Sequence, residues 1–195
     1  MHIKKQGVYK TIITRRTIRC FKQKPLSAFI LKRLINAARL APSAANLQPL
    51  EFIVVCNQSI CNKIFLNLKW AAYIAPEGTP TAGKRPVAYI AVLVARTKAR
   101  LKYAAYDVGA AVQNILLTAW EHGIGACWIQ SIGRRKIKKI LNTREDYRLD
   151  SIIALGYRDE WPVAEDFKGT VKYWKDKKGR LRVPKRKLSE VYKII

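Results

Sequence analysis

A chain of 195 residues, 49% of them apolar, is long enough to bury a full hydrophobic core and short enough to form one domain, so residues 1–195 are read as a single unit. It contains no uncharged apolar run of roughly eighteen residues, and Met1-His2-Ile3-Lys4-Lys5-Gln6 leads into a charged segment without the apolar core of a signal peptide. The expectation is a soluble, cytoplasmic protein with no membrane partner. The formal charge is +25, with five basic residues among the six from Arg134 to Lys139 and ten among the twenty from Lys168 to Lys187, a field that attracts anionic ligands and polyanions.

Four cysteines, Cys20, Cys56, Cys61 and Cys127, fall in different predicted elements, form no C-x-x-C pair and have only two histidines for company. That pattern argues against a zinc site and for reduced structural thiols.

In chain order, a short helical start precedes Arg15-Arg16-Thr17-Ile18-Arg19, which places three guanidinium groups and a hydroxyl within five residues. These are charge-assisted donors suited to a phosphate, although a solvated basic surface is the commoner use of such a cluster. From Ser27 to Ala41, Ile30, Leu31, Leu34, Ile35 and Ala38 recur at helical spacing behind a Ser N-cap, and Pro42 closes the run. Ala41-Pro42-Ser43-Ala44-Ala45-Asn46-Leu47-Gln48-Pro49 then reads as a connecting loop, for which Ser, Asn and Pro suit turn geometry.

Glu51 to Cys56, Val87 to Ala95 and Ser151 to Gly156 have the length and β-branched content of buried strands, and Ala126 to Ile129 is a shorter fourth strand. Gln58 to Trp70 reads as a helix, and Glu77 to Pro86 as a loop. Tyr103 to His122 is apolar around most of its circumference, which predicts a central helix at a subunit interface, ended by Gly123. Arg134 to Leu141 forms a short basic helix with Ile137, Ile140 and Leu141 inward, and Asp176-Lys177-Lys178-Gly179 is a turn between two extended pieces. The irregular alternation of strands and helices predicts an α+β layer fold.

The first basic cluster and the loop that begins at Ala41, followed by the apolar strand Phe52-Ile53-Val54-Val55, jointly resemble the N-terminal signature of the nitroreductase family, R-R-[ST]-x-R-x-F and then A-P-S-[AS]-x-N-x-Q-P. The resemblance continues through Asp107-Val108-Gly109-Ala110-Ala111-Val112-Gln113-Asn114, Gly123-Ile124-Gly125-Ala126-Cys127-Trp128-Ile129 and Val183-Pro184-Lys185-Arg186-Lys187-Leu188, and so covers nearly the whole chain.

The resemblance implies a nitroreductase-like α+β fold, a central, mostly antiparallel sheet flanked by helices, in an intertwined homodimer that holds FMN at the subunit interface. It assigns the FMN phosphate to Arg15, Thr17, Lys185 and Lys187, with Arg16 and Arg186 as further contacts, and the pyrimidine end of the flavin to Arg19. From the neighbouring subunit it brings Pro42, Ser43, Ala44 and Asn46 to ribityl and ring, with Gln48 as a polar neighbour. Trp128, Ile129, Gln130 and Ser131 correspond to the strand end that lies against the flavin.

Lys69 is a further candidate for the flavin pyrimidine, with an exposed helical lysine as the alternative. Trp70, Tyr73 and Trp174 are candidates to line the substrate face, against the alternative of core or interface packing. The family pattern often has Gly after the Trp-Ile pair and acidic residues after the next turn, where this chain has Gln130 and then Arg134-Arg135.

The activity implied is a ping-pong transfer of hydride from NADH or NADPH through FMN to a small electron-poor acceptor such as a nitroaromatic or quinone, with no side chain as catalytic acid or base and no metal. The same fold with another flavin chemistry, as dehydrogenase, dehalogenase or flavin-consuming enzyme, is the alternative. A nucleic-acid-binding protein is a rival prompted by charge alone, with no recognised binding module behind it.

Overall fold

In the computed structural model, which describes residues 7–97 and 103–195, one long strand organises the rest. The opening hexapeptide Met1–Gln6, and with it the reading of its charge, lies outside the described residues. Strand β5 (Tyr147–Arg158) pairs antiparallel with β3 (Ala88–Ala95) on one side and with β4 (Ile124–Ile129) on the other. Outward from β3 lies β2 (Leu50–Val55), while β1 (Phe21–Lys22) pairs with the far end of β5, giving a five-stranded antiparallel sheet.

The alternation of β3 shows why its nearly unbroken apolar run is required. Tyr89, Ala91, Leu93 and Ala95 face a core built with helix α3 (Gln58–Phe65) and helix α5 (Arg134–Ile140), through Ile64, Phe65 and Ile137. Ala88, Ile90, Val92 and Val94 face a second core made with helix α2 (Ala28–Arg39) and helix α4 (Ala104–Glu121). A strand buried on both faces has no position for a polar residue, so the two-residue periodicity is lost from the sequence although it persists in the structure.

The helices begin where short polar side chains cap them. Ser27 Oγ accepts the Ile30 N–H at 3.3 Å before α2, and Asn57 Oδ1 accepts the Ile60 N–H at 3.0 Å before α3. Helix α3 stops at Phe65, short of the Trp70 end expected from periodicity. The reason is long-range pairing: Gly133 N–H donates to Asn67 O at 2.8 Å, Lys69 N–H donates to Ser131 O at 2.9 Å, and Leu68 bridges Ile132. Each of these bonds uses a backbone group that helix continuation would have committed elsewhere.

A second sheet joins β6 (Val163–Asp166), β8 (Leu181–Lys185) and β7 (Trp174–Lys175), with β6 and β8 parallel. The extended pieces on either side of the 176–179 turn are β7 and β8, as expected, whereas the parallel partner β6 is an addition.

The four thiols are free and sit in unlike surroundings. Burial pushes Cys127 up to about 11, and burial followed by the proximity of Cys56 pushes Cys61 to about 11 as well. Cys56 is exposed and Cys20 half-buried. Native protein treated with iodoacetamide at pH 8 is expected to be alkylated first at Cys56, with Cys61 and Cys127 reacting only after denaturation; peptide mass mapping over time checks the order.

Candidate functional site

The N-terminal basic segment starts at the end of helix α1 (Val8–Thr14). Arg16 turns back on that helix and donates to the carbonyls of Ile13 at 3.0 Å and Arg15 at 2.6 Å, so its guanidinium serves as a C-terminal cap. Arg15 is half-buried; burial first, and the adjacent Arg16 charge second, lower its pKa from the usual guanidinium value. An anion placed beside Arg15 would relieve both.

Beyond Arg15 the chain runs extended beside the outer edge of β4. Thr17 forms a parallel bridge with Ala126, and Ile18 N–H donates to Ala126 O at 3.0 Å. This close approach depends on Gly125, since a Cβ there would lie 2.7 Å from Ile18 Cβ. Arg19 N–H and Cys20 N–H both donate to the Glu160 carboxylate, the latter at 3.2 Å. The Arg19 guanidinium stacks on the Tyr173 ring at 5.2 Å, and its Nε is buried without a hydrogen-bond partner.

The end of β4 brings a second group of predicted residues to the same edge. Trp128 is 37% exposed, Ile129 is buried, and Gln130 and Ser131 are exposed at the strand's exit. Because residues 67–69 pair with 131–133, Lys69 is exposed, as the alternative reading had it, but stands in an extended segment next to Ser131 and not on a helix. Lys69, Gln130 and Ser131 line a cleft of about 780 Å³ whose far wall is Arg134, Arg135 and Lys136. A neighbouring cleft of about 630 Å³ shares Lys69 and Ser131 and reaches Trp70. Trp70 itself is core, packed on Phe65 at 5.7 Å, whereas Tyr73 is exposed and contacts Tyr173 at 5.0 Å, and exposed Trp174 donates to Glu165 at 2.8 Å.

The loop from Pro42 to Gln48 lies at the opposite edge of the sheet, leading into β2. Three strand spacings of about 4.8 Å separate β2 from β4, on the order of 14 Å. The loop is held in an unusual shape: Ala45, Asn46 and Gln48 all have positive φ (50°, 54° and 49°), a conformation disfavoured for residues other than glycine. Ser43 Oγ accepts the Gln48 N–H at 3.0 Å, and the buried Asp107 carboxylate accepts the Ala44 N–H at 2.9 Å. Sequence reasoning assigned no anchoring role to Asp107; a lone acid in the first turn of an otherwise apolar helix was the signal. Pro42, Ser43, Gln48 and Asp107 border a pocket of about 280 Å³.

Lys185, Arg186 and Lys187 are exposed. The Lys185 carbonyl accepts the Phe167 N–H at 2.8 Å, and Arg186 pairs with Glu190 at 3.6 Å. Among the described residues no hydrogen bond or ion pair joins these three to Arg15, Arg16 or Thr17; the C-terminal part approaches the first motif through Tyr173 on Arg19.

The scaffold is α+β, with a basic extended segment bridged to β4 and an open cleft lined by cations at that strand's exit. The model of the nitroreductase family matches residues 12–157, and the chain belongs to that family. It is 32% identical over 160 residues to a protein of Archaeoglobus fulgidus named "Putative NADH dehydrogenase/NAD(P)H nitroreductase", covering 77% of this chain and 86% of that one. It is 25% identical over 168 residues to an iodotyrosine deiodinase of Thermotoga neapolitana, covering 78% and 89%. Among solved structures, an FMN-dependent nitroreductase of Clostridium difficile R20291 matches with a TM-score of 0.63 at 26% identity, covering 77% of this chain and 87% of that chain.

Proposed function

We propose that this nitroreductase-family chain is an FMN-dependent oxidoreductase that draws electrons from NADH or NADPH and passes them to a small electron-poor acceptor, acting as a homodimer. When bound, FMN would supply the redox chemistry by taking up hydride and handing it on. The observation that carries the reading is the surroundings of β4: Thr17 and Ile18 of the basic segment pair with Ala126, and Lys69 pairs with Ser131 at the strand's exit, where it lines an open cleft.

The residues fit the cofactor. Arg15 is half-desolvated beside a second cation, so an anionic, hydrogen-bond-accepting ligand would relieve it, while the Arg19 guanidinium has Cys127 and Glu160 as its own neighbours. Arg15 and Thr17 would hold the phosphate, Arg19 and Lys69 would stand by the ring portion that gains negative charge on reduction, and the backbone at Gln130 would offer a donor that its side chain does not control. Lys185 and Lys187 belong to the phosphate set by family likeness.

Pro42, Ser43, Ala44, Asn46 and Gln48 sit on the wrong edge to join this set within one copy, which supports a site completed by the loop of a second copy. The apolar residues beside Lys69, Leu66, Leu68 and Ile132, give a flat acceptor a surface against which to pack. Among the described residues no helix is long and apolar enough to cross a membrane. Dehalogenation of an aromatic substrate is the second reading, favoured by the likeness to the iodotyrosine deiodinase.

Purified protein is expected to be yellow, to release FMN on denaturation and to be bleached by NADH or NADPH without oxygen. A colourless preparation that also fails to bind added FMN contradicts the proposal. Parallel turnover of nitroaromatics, quinones and halogenated phenols separates the two readings.

A further inference from the structure

We propose that the cleft at the end of β4 selects its small-molecule redox partners by a negative charge that they carry, with Arg135 and Lys136 as the residues that set this preference. The inference rests on the reading above that the β4 edge is the redox site, and it deepens that reading by naming the substrate class.

The cleft is lined by Lys69, Arg134, Arg135 and Lys136, with no aspartate or glutamate among its lining residues. Leu66, Leu68 and Ile132 are the apolar residues of its lining. Charges of one sign among apolar neighbours give the cleft a field that attracts an anion.

The four cations are not equivalent. The Arg134 guanidinium donates to Gln130 O at 3.1 Å and to Asp150 O at 3.0 Å, so it is a strut that ties α5 to the exit of β4. Asp150 falls at the register irregularity between β3 and β5, which takes it out of the regular ladder. Gly133 packs closely on Asn67, where an added Cβ would lie 3.2 Å from its Oδ1, fixing the start of α5 against the 67–69 segment. Arg135 and Lys136 are exposed and, among the described residues, form no ion pair, so their charge is available to a ligand. An anion here has two possible sources, an acid group on the electron acceptor or the additional phosphate of NADPH, and both would be read by the same cations.

The experiment compares wild type with the double variant R135E/K136E, using 4-nitrobenzoate against 4-nitrobenzamide as acceptors and NADPH against NADH as donors. Binding of the two nitro compounds is also measured by quenching of tryptophan fluorescence in the protein as purified. The wild type is expected to favour the anion of at least one pair by about tenfold in kcat/KM at low salt, with the preference shrinking as salt rises. The double variant should lose that preference while keeping its FMN content.

Loss confined to the acceptor pair assigns the charge to the acceptor, and loss confined to the donor pair assigns it to the NADPH phosphate; both uphold the inference. Ratios that stay within twofold of wild type in turnover and binding overturn it, as does a fall in FMN content, which would place the pair in the cofactor site. A protein without flavin would defeat the redox reading alone, because the fluorescence comparison still reports the charge preference.

Discussion

The Gly125→Ala variant is expected to lose both stability and cofactor. Its new methyl would be built 2.7 Å from Cβ and Cγ2 of Ile18, a side chain with no solvent exposure, so neither neighbour can swing aside. Overpacking of this kind costs about 1–3 kcal/mol. What distinguishes this position is the direction of relief: the segment from Arg15 to Arg19 must move away from β4, and that segment carries the proposed phosphate and ring contacts. Urea unfolding should show a lower midpoint with an unchanged slope, and the purified variant should retain markedly less FMN than wild type. A variant as stable and as yellow as the parent would mean that the first motif does not depend on its seat against β4.

Arg15→Ala is expected to weaken FMN retention while leaving the fold intact. A charge-assisted hydrogen bond contributes about 1.5–3 kcal/mol, equivalent to roughly a ten- to hundredfold change in dissociation constant. Arg16→Ala supplies the contrast within the same motif, since Arg16 caps α1 through the carbonyls of Ile13 and Arg15. Its loss should lower stability modestly and change FMN affinity less than the Arg15 substitution does. Lys185→Ala tests whether the exposed C-terminal segment joins the phosphate site, and the family likeness predicts weaker retention there too. Fluorescence titration of the FMN-free variants with FMN measures all three, and equal affinity in Arg15→Ala and wild type would contradict the assignment.

How much of this was readable beforehand follows from whether each feature is local. Helix α2 was legible because Leu31, Leu34 and Ala38 are buried at helical spacing behind the Ser27 cap, and α4 because nearly every turn is apolar. Strand β3 announced itself through its unbroken apolar run. The end of α3 was not legible, since Leu68 and Lys69 suit a helix and are drawn out only by pairing with Ser131–Gly133, some sixty residues away. That same pairing puts Lys69 beside the strand end, so the shortened helix and the place of Lys69 in the cleft have one cause.

Within the candidate site, the residue types suited to a phosphate could be recognised, but their division of labour could not. Arg15 and Arg16 are identical in type and adjacent, and only the fold makes one a ligand candidate and the other a cap. Asp107 stood out as a lone acid in the first turn of an apolar helix, but its partner, Ala44 N–H, could not be named because it is 63 positions away and belongs to the backbone. The parallel pairing of β6 with β8 was likewise hidden, as strands of four and five residues have too little pattern to reveal a partner.

The claim that two copies share each site is tested most directly by subunit mixing. Arg15→Ala subunits and subunits altered in the loop by Ser43→Arg and Asn46→Arg are co-expressed with different tags, and the mixed dimer is isolated and its FMN counted. If the β4 edge of one copy meets the loop of the other, one site of the mixed dimer gathers both defects and the second is intact, so about one FMN per dimer is expected. Mixed dimers as depleted as both parents would show that each site draws its two halves from the same chain.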